Sequence, residues 1–355
     1  MAPRWKVSPP NSSWGEFGPD DRLGRMNLVT AAKVRQGMQE VREGRTFCLS
    51  LPLDVPGGRT LNARRMPPRL YGTLRDGASS GAQGFCWSYA TENALLTDVV
   101  CDEVMLMNTQ YSTQWDSLAH IGSLFDADGD GESEAVFYNG FRAGSDIHPG
   151  TTDPAAAADW ARYPDPDAGA LGVANLAVHG VQGRGVLIDL EWHVGRQRKA
   201  VGYDTLMRIL DADRIDVEEG DMVCLHTGYA DTLLAMHKHP DLKQLHETGS
   251  GLDGSDARLL QWISDSRLAC LMADNPAVEL VAQPSLVQGS PMRGPRLPLH
   301  EHCLFKHGIH LGELWWLTPL ALWLRQAKRS RFLLTAPPLR LPGAAGSPVT
   351  PIATV

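Results

Sequence analysis

One stretch of the sequence, residues 110–120, carries polar side chains at a spacing that could perform acid–base chemistry. Four of these side chains occupy every second position: Gln110, Ser112, Gln114 and Asp116. If the chain is extended here, all four point to the same face, because side chains alternate along a strand. Such a row on an otherwise apolar strand costs free energy unless it lines a cavity. The spacing indicates a polar cavity; the alternative is an edge strand whose polar face meets water.

A histidine follows this polar row at a useful distance. His120 comes four residues after Asp116, which is about one turn of a helix. A helix beginning near Ser117 would therefore carry the imidazole to the same cavity. We predict that a carboxylate and an imidazole meet there beside amide and hydroxyl groups, a pair able to move protons.

Two tryptophans and a second histidine are candidates for contacting a small-molecule substrate. The chain has ten Trp and only seven Tyr, which indicates an aromatic pocket. Trp115 lies inside the polar row, and Trp192 and His193 follow a predicted strand. We expect these three side chains to bind substrate. The alternatives are core positions for the tryptophans and a place at the pocket rim for His193.

A serine motif elsewhere has the wrong surroundings for a nucleophile. Residues 77–81 read Gly-Ala-Ser-Ser-Gly, a formal match to the GxSxG elbow of serine hydrolases. That elbow requires a buried strand before it and a helix after it. The preceding residues, 73–76, form no such strand, so we interpret the segment as a loop.

An acidic run, Asp126 to Gly131, imitates the start of an EF-hand calcium loop. The twelfth position of that loop must be a bidentate Glu, and here it is Phe137. We interpret the run as a polar insertion beside the active site.

The elements that must position these residues alternate between strands and helices. Short apolar runs bounded by Gly and Asp predict buried strands at 185–189 and 222–226, and the chain is strand-like from Val99 toward Trp115. Apolar residues at helical spacing predict helices over 28–43, 203–211, 255–264 and 315–331, the first capped by Thr30. This mixture indicates one compact α/β domain.

The composition indicates the class of protein, the bounds of the domain and the partners that are excluded. The 355 residues are 43% hydrophobic and 21% charged, ordinary values for a globular protein. We predict an extended arm over residues 1–25, a single domain over 26–335 and a loose C-terminal extension over 336–355, both ends being rich in Pro and Gly. The net charge of −8 argues against nucleic acid or an anionic membrane as partner.

Cysteine usage and apolar patterning indicate the compartment. The six cysteines are scattered and form no CxxC pair, which is typical of reduced thiols. The N-terminus lacks the apolar core of a secretory signal. The most apolar stretch, Leu314–Leu324, has about half the length needed to cross a bilayer. We expect a soluble, cytoplasmic protein.

The polar segment also resembles the signature of the cyclase family of metal-dependent hydrolases, which includes kynurenine formamidases and isatin hydrolases. That signature reads His-x-Gly-Thr-His-x-Asp-x-x-x-His. Thr113, Asp116 and His120 match it in frame. Gln110 and Gln114 stand where the family has its first two histidines, and a Gln-Trp-Asp reading at this point resembles a longer-chain branch.

Later blocks resemble the family in the same order. They are Gly183–Asp189, Gly220–Val223 with Thr227–Gly228, Asp274–Glu279, His300–Leu304 and Gly308–Leu314. The resemblance therefore extends from about Trp14 to Ala321. It implies an α/β fold with a mixed, barrel-like β core surrounded by helices, and association as a homodimer or homotetramer.

The resemblance also implies a reaction and its residues. Family members hydrolyse an amide, a cyclic amide or a lactone in a small molecule, with a divalent metal that activates water. Asp116 would bind the metal together with His300 and Glu313, and His120 would be the general acid/base. Gln110 and Gln114 could add carbonyl oxygens, which favour manganese or magnesium over zinc. Manganese or zinc is the expected ion, with magnesium as a third candidate.

The two glutamines keep other hypotheses open. The site could hold no metal, and the protein could then be a lyase or cyclase that uses Asp116 with His120. It could also be a ligand-binding protein that has lost hydrolytic activity. Metal dependence separates these hypotheses.

Overall fold

A curled sheet of nine strands forms the centre of the protein. The computed structural model describes residues 3–75, 84–150, 166–280 and 294–355; the serine motif at 77–81 lies outside them. Within this part of the chain the sheet is mixed and bends into a half-barrel flanked by helices. This confirms the predicted α/β fold with a single barrel-like β core.

The nine strands run across the sheet in an order that differs from their order in the chain. They are β1 (Thr46–Cys48), β17 (Ile352–Thr354), β15 (Arg331–Thr335), β9 (Gln182–Asp189), β11 (Met222–His226), β13 (Cys270–Ala273), β14 (His310–Glu313), β6 (Gln114–Asp116) and β16 (Gly346–Pro348). From β9 to β14 neighbouring strands are parallel, and the other pairs are antiparallel.

The central parallel strands are apolar on both faces because both faces are covered. Every residue of β11 and β13 is buried. Along β11, Val223 and Leu225 join the core on one side of the sheet, whereas Met222 and Cys224 join the core on the other. This two-sided burial is what the continuous apolar runs predicted.

Helices cover the sheet and connect its strands. They are α1 (Ala31–Met38), α2 (Ala174–His179), α3 (Leu190–Val194), α4 (Tyr203–Asp213), α5 (Tyr229–Ala235), α6 (Leu242–His246), α7 (Ala257–Ser266), α8 (Pro298–His300) with a π-helical turn at Glu301–Lys306, and α9 (Thr318–Ala327). Short 3₁₀ turns occur at Gly24–Leu28, Tyr89–Thr91, Tyr138–Gly140 and Gly169–Leu171. The side chain of Thr30 accepts a hydrogen bond from the Lys33 amide and caps α1, as predicted.

Eight further strands form four small pairs outside the main sheet. They are β2 (Arg69–Gly72) with β5 (Glu103–Leu106), β3 (Trp87–Ser88) with β4 (Val99–Val100), β7 (Ser123–Phe125) with β8 (Glu134–Val136), and β10 (Ala200–Val201) with β12 (Gly251–Leu252). The acidic run from Asp126 lies in the loop that joins β7 to β8. There the Asp126 carboxylate accepts backbone hydrogen bonds from Gly129, Asp130 and Gly131.

The C-terminal residues are part of the sheet, so the expectation of a loose extension over 336–355 is wrong. β16 pairs with β6, and β17 lies between β1 and β15. Pro and Gly interrupt the apolar pattern in this segment, so the pattern did not predict its two strands. The partners of these strands lie far away in the sequence. The N-terminal segment is also packed down: Trp14 is buried and donates its indole N–H to the Phe305 carbonyl at 2.8 Å.

Among the described residues, helix length and hydropathy provide no candidate for a membrane-crossing helix.

We predict that Gly24→Ala destabilises the protein more than Gly44→Ala does. Both glycines have positive φ, +56° and +67°, so each alanine pays the cost of a left-handed backbone, about 1–2 kcal/mol. A Cβ on Gly24 would also lie 2.0 Å from the Gly308 carbonyl oxygen, whereas none of the atoms compared lies within 4 Å of one on Gly44. Because backbone atoms cannot rotate away, we expect a further loss of about 1–3 kcal/mol. Urea unfolding measures both variants, and equal losses would show that the Gly24–Gly308 contact is not tight.

Candidate metal centre

The pairing of β6 with β14 brings two buried acidic side chains together. The strands are antiparallel, with Asp116 opposite Leu311 and Gln114 opposite Glu313. Asp116 and Gln114 are fully buried, and Glu313 nearly so. His300, at the end of α8, is also buried and approaches from outside the strand pair.

Asp116, His300 and Glu313 form a compact group, which we call the buried triad. One ligand atom from each side chain lies within 4.8 Å of the other two. His300 Nε2 is 3.2 Å from Glu313 Oε1. Two carboxylates and an imidazole at this separation can hold a divalent cation.

His300 lies between two carboxylates. Its Nδ1 is 2.8 Å from Glu279 Oε1, on the side away from Glu313. Burial by itself would lower the pKa of His300, but the hydrogen bonds to Glu279 and Glu313 raise it to about 10. Burial and the neighbouring charge of Asp116 raise the pKa of Glu313 to about 7. A proton on His300 therefore compensates part of the negative charge of the carboxylates, and an ion bound by His300 would replace the proton on Nε2.

The two glutamines bind the carboxylates through their amide nitrogens. Gln114 Nε2 lies 3.0 Å from Glu313 Oε2 and 3.3 Å from Asp116 Oδ1. Gln110 Nε2 donates a short hydrogen bond to the same Asp116 oxygen. The amide nitrogens of Gln110 and Gln114 therefore face the carboxylates, and an NH₂ group does not ligate a cation. Their hydrogen bonds stabilise the ionised form of Asp116.

A divalent ion fits the triad, beside the free oxygen of Gln114. Asp116 Oδ2 and Gln114 Oε1 are buried and have no hydrogen-bond partner. An unpaired buried carboxylate oxygen is costly, and a cation bound to it would remove that cost. Asp116, His300 and Glu313 would hold the ion through two oxygens and one nitrogen, a set that suits manganese, zinc or magnesium.

His120 adjoins the triad on a turn. Its backbone N–H bonds to the Ser117 carbonyl, so a turn replaces the predicted helix. His120 Nε2 lies 4.0 Å from Asp116 Oδ2. Burial lowers the pKa of His120, and the charge of Asp116 opposes that effect. The net effect lowers the pKa of His120, which favours the neutral form of the ring.

The orientation of the His120 ring follows from its contact with Gln110. The Gln110 amide nitrogen is 2.9 Å from His120 Nδ1. Because an amide nitrogen only donates, Nδ1 accepts and the proton of the neutral ring is on Nε2, the atom that faces Asp116.

Ser112, the remaining member of the polar row, points elsewhere. Only residues 114–116 of the expected strand are extended in the sheet. The Ser112 hydroxyl donates to the Pro52 carbonyl at 3.1 Å, and the neighbouring Thr113 hydroxyl donates to the Leu314 carbonyl. These two residues attach the strand to its surroundings.

Trp115 lies in the core, so its predicted contact with substrate is wrong. The side chain is fully buried and donates its indole N–H to the Ala336 carbonyl at 2.8 Å. Its ring packs edge-on against Trp315, with 5.2 Å between centroids. Successive side chains of a strand point to opposite faces. Because Gln114 and Asp116 point toward Glu313, Trp115 must point to the other face.

Trp192 and His193 also lie outside the group around Asp116. Both are on α3, where Trp192 is 62% exposed and stacks beneath the Arg325 guanidinium. His193 Nε2 is 2.8 Å from Asp213 Oδ2. Trp192 lines a separate cavity of about 590 Å³ whose wall includes none of the triad residues. The predicted role of these two residues in substrate binding is not supported by their positions.

Two residues near the site were missed by the sequence analysis. Glu279 orients His300, and it ends the Asp274–Glu279 block, which was the available signal. Arg65 donates to the Gln110 carbonyl at 2.5 Å and lies in an Arg-rich loop without periodicity. Both line a cavity of about 920 Å³. Its wall includes Leu314, the neighbour of Glu313, but none of the three triad residues.

Comparison with known proteins places this architecture in a family. A model of the cyclase family matches residues 48–280. A search of curated proteins finds no significant match. Among solved structures, the chain is similar to a protein described as a novel cyclase, with a TM-score of 0.70 and 27% identity over 97% of both chains.

The chain is also similar to two isatin hydrolases at much lower identity. Isatin hydrolase A from Ralstonia solanacearum gives a TM-score of 0.53 at 13% identity, over 87% of this chain and 91% of that one. Isatin hydrolase A from Labrenzia aggregata, bound to benzyl benzoate, gives 0.54 at 13% identity, over 88% and 93%. At these identities the likeness shows a shared fold.

Proposed function

Because the chain belongs to the cyclase family, as its motifs predicted, we propose that it is a metal-dependent hydrolase of a small molecule with an amide, cyclic amide or lactone bond. The buried triad of Asp116, His300 and Glu313 is the observation that supports this proposal. Buried carboxylates with an unpaired oxygen destabilise a fold, so they are typical of metal and catalytic sites. The likeness in fold to isatin hydrolases is consistent with the same class of reaction.

The triad and the residues around it have different roles in the proposed reaction. A divalent ion bound there would polarise the carbonyl of the bond to be cleaved and lower the pKa of water. Asp116, His300 and Glu313 would hold that ion, and Glu279 orients the His300 ring by accepting a hydrogen bond from Nδ1. The Gln110 and Gln114 amides orient the Asp116 carboxylate by donating to one of its oxygens.

His120 is the general acid/base of the proposed reaction. The Gln110 amide holds its Nδ1, so Nε2 presents a proton toward the group around Asp116. That proton can pass to the leaving nitrogen or oxygen, and the ring can recover it from the attacking water.

A second candidate function has its own supporting observation. The Gln114 NH₂ group bridges Asp116 and Glu313, so a neutral amide already pairs the two carboxylates. A protein that binds ligand without an ion, or a lyase or cyclase that uses Asp116 with His120, is compatible with this contact.

Metal dependence tests the proposal directly. We expect the purified protein, after addition of Mn²⁺, Zn²⁺ or Mg²⁺, to hold close to one equivalent of ion per triad by elemental analysis. A chelator should abolish hydrolysis of a panel of cyclic amides, N-formyl amides and lactones. It should also lower the melting temperature, because an ion at 100 times its Kd stabilises the fold by about 2.7 kcal/mol.

A double variant and a control variant test metal binding further. Gln110→His combined with Gln114→His should raise the affinity for zinc at least about tenfold, because imidazole is a better zinc ligand than an amide. The control is Gln182→His, at the exposed start of β9, which should leave zinc affinity unchanged. If neither the natural protein nor the double variant binds a divalent ion, the metal-dependent mechanism is wrong and only the fold assignment remains.

Replacing His120 tests its role in proton transfer. His120→Ala should lower kcat by a factor of about 10² to 10⁴, the usual contribution of a general acid/base. The melting temperature should change little, because the side chain is partly exposed and lies on a turn. His193→Ala is the matched control, since His193 pairs with Asp213 outside the site. An unchanged kcat in His120→Ala would leave this residue with a structural role.

A further inference from the structure

Two of the six cysteines face each other beside an exposed strand pair. β3 and β4 are antiparallel, with Trp87 opposite Val100. The residues just outside this pair, Cys86 and Cys101, are therefore opposite each other in the same register. Their Sγ atoms are 3.6 Å apart, and both residues are exposed. The proposed hydrolysis uses neither thiol, so the function of this pair has to be sought elsewhere.

Backbone contacts hold the two cysteines at this separation. The Cys86 amide donates a hydrogen bond to Cys101 Sγ at 3.2 Å. Next to Cys101, the Asp102 amide donates to the Gly84 carbonyl at 2.9 Å, and the Asp102 carbonyl accepts from the Thr73 amide at 3.0 Å. Cys86 itself has a φ of +56°, a left-handed conformation that residues other than glycine rarely adopt. Such conformations are frequent at functional sites, where the surrounding structure fixes them.

The other four cysteines are not placed for the same chemistry. Cys224, Cys270 and Cys303 are buried, and burial raises the pKa of each of their thiols. Because the thiolate is the reactive form, these three sulfur atoms are protected from reaction. Cys48 is exposed on β1, but the residue opposite it is an isoleucine. Within the described ranges, exposure and a hydrogen-bonded thiol partner coincide only at Cys86 and Cys101.

A disulfide between the two sulfur atoms fits the geometry of the strand pair. Residues directly opposite each other on antiparallel strands have Cα atoms about 4.5–5.5 Å apart, inside the range of about 4.4–6.8 Å that disulfides span. An S–S bond is about 2 Å long, so the sulfur atoms must approach by roughly 1.6 Å from their separation of 3.6 Å. Rotation of two exposed side chains supplies a movement of this size.

The hydrogen bonds of the pair distinguish its two thiols. The bond to Cys101 and the charge of a Cys101 thiolate raise the pKa of Cys86. Cys101 Sγ instead accepts the Cys86 amide N–H, and a charged sulfur gains more from that bond than a neutral one does. This asymmetry makes Cys101 the attacking sulfur and Cys86 the sulfur that completes the reaction.

We propose that Cys86 and Cys101 form a reversible thiol–disulfide site whose reaction partner is a small-molecule disulfide such as oxidised glutathione. The Cys101 thiolate attacks one sulfur of the partner, whose S–S bond breaks and releases one thiol. The Cys86 sulfur then attacks Cys101 Sγ, which forms the Cys86–Cys101 bond and releases the second thiol. Two protein thiols are oxidised, one partner disulfide is reduced, and the two protons of the protein thiols end on the two released thiols.

The bond has a structural consequence for the segment that it closes. β3 and β4 form a separate two-stranded sheet, and such a sheet is marginally stable in water by itself. A covalent link beside it removes many open conformations of residues 86–101. Folding therefore favours the disulfide, and by linkage the disulfide stabilises the folded segment.

Equilibration of the full-length protein with oxidised and reduced glutathione tests this site. Free thiols are then alkylated, and linked peptides are identified by mass spectrometry. We expect Cys86 to be linked to Cys101 within one chain, and excess dithiothreitol to restore both thiols. A link from either residue to another cysteine or to a second chain, or oxidised protein in which both stay free or carry glutathione, overturns the proposal.

Single variants assign the two roles. Cys86→Ser should retain glutathione on Cys101 as a stable mixed disulfide, because the second thiol is missing. Cys101→Ser should acquire glutathione on Cys86 at least about tenfold more slowly, because the attacking thiol is missing. Cys48→Ser is the matched control at an exposed cysteine, and its disulfide should form at the natural rate. Equal rates in Cys86→Ser and Cys101→Ser would overturn the assignment of Cys101 as the attacking thiol.

The same equilibrium in denaturing urea shows whether the fold or mere nearness in the sequence brings the thiols together. In the unfolded chain the two thiols end a flexible loop and meet at an effective concentration on the order of millimolar. We expect the equilibrium constant for the disulfide to be at least about tenfold larger in the folded protein, where the thiols are held side by side. Equal constants, or a larger one in urea, would show that the fold does not position the pair and would overturn the site. Neither experiment depends on the proposed hydrolysis.

Discussion

The side-by-side placement of Asp116 and Glu313 is the constraint on which the site depends. Pairing of β6 with β14 removes both carboxylates from water, and each buried charge must be compensated. His300 pairs with Glu313, and the Gln110 and Gln114 amides pair with Asp116. One oxygen of Asp116 remains without a partner, and this is the atom that an ion would engage.

The rest of the fold keeps that strand pair in place. β16 closes the other side of β6, where a Cβ on Gly346 would lie 2.6 Å from the Gln110 side chain. Gly308, two residues before β14, touches the backbone at Gly24, which connects the N-terminal segment to the same strand. Elements from both chain ends therefore determine the geometry of a site whose residues come from the middle and the late part of the sequence.

The charged side chains of the buried triad and those of the neighbouring cavity differ in sign. The triad contains two carboxylates, whereas three arginines line the neighbouring cavity. Glu279 lies at the boundary and bonds to His300.

Local patterns in the sequence determined the α/β class, the buried strands β9 and β11 and the neighbouring pair of Asp116 and His120. The resemblance to the cyclase family added His300 and Glu313 to that pair. Apolar periodicity and motif spacing encode such features within a few residues. Only the tertiary structure decided which face of β6 each side chain meets, and that choice placed Trp115 in the core. It also decided the partners of the last twenty residues and the orientation of the glutamine amides. All three features depend on contacts between residues about 200 or more positions apart, such as Gly346 with Asp116 and Gln114 with Glu313. A local sequence pattern contains no information about such contacts.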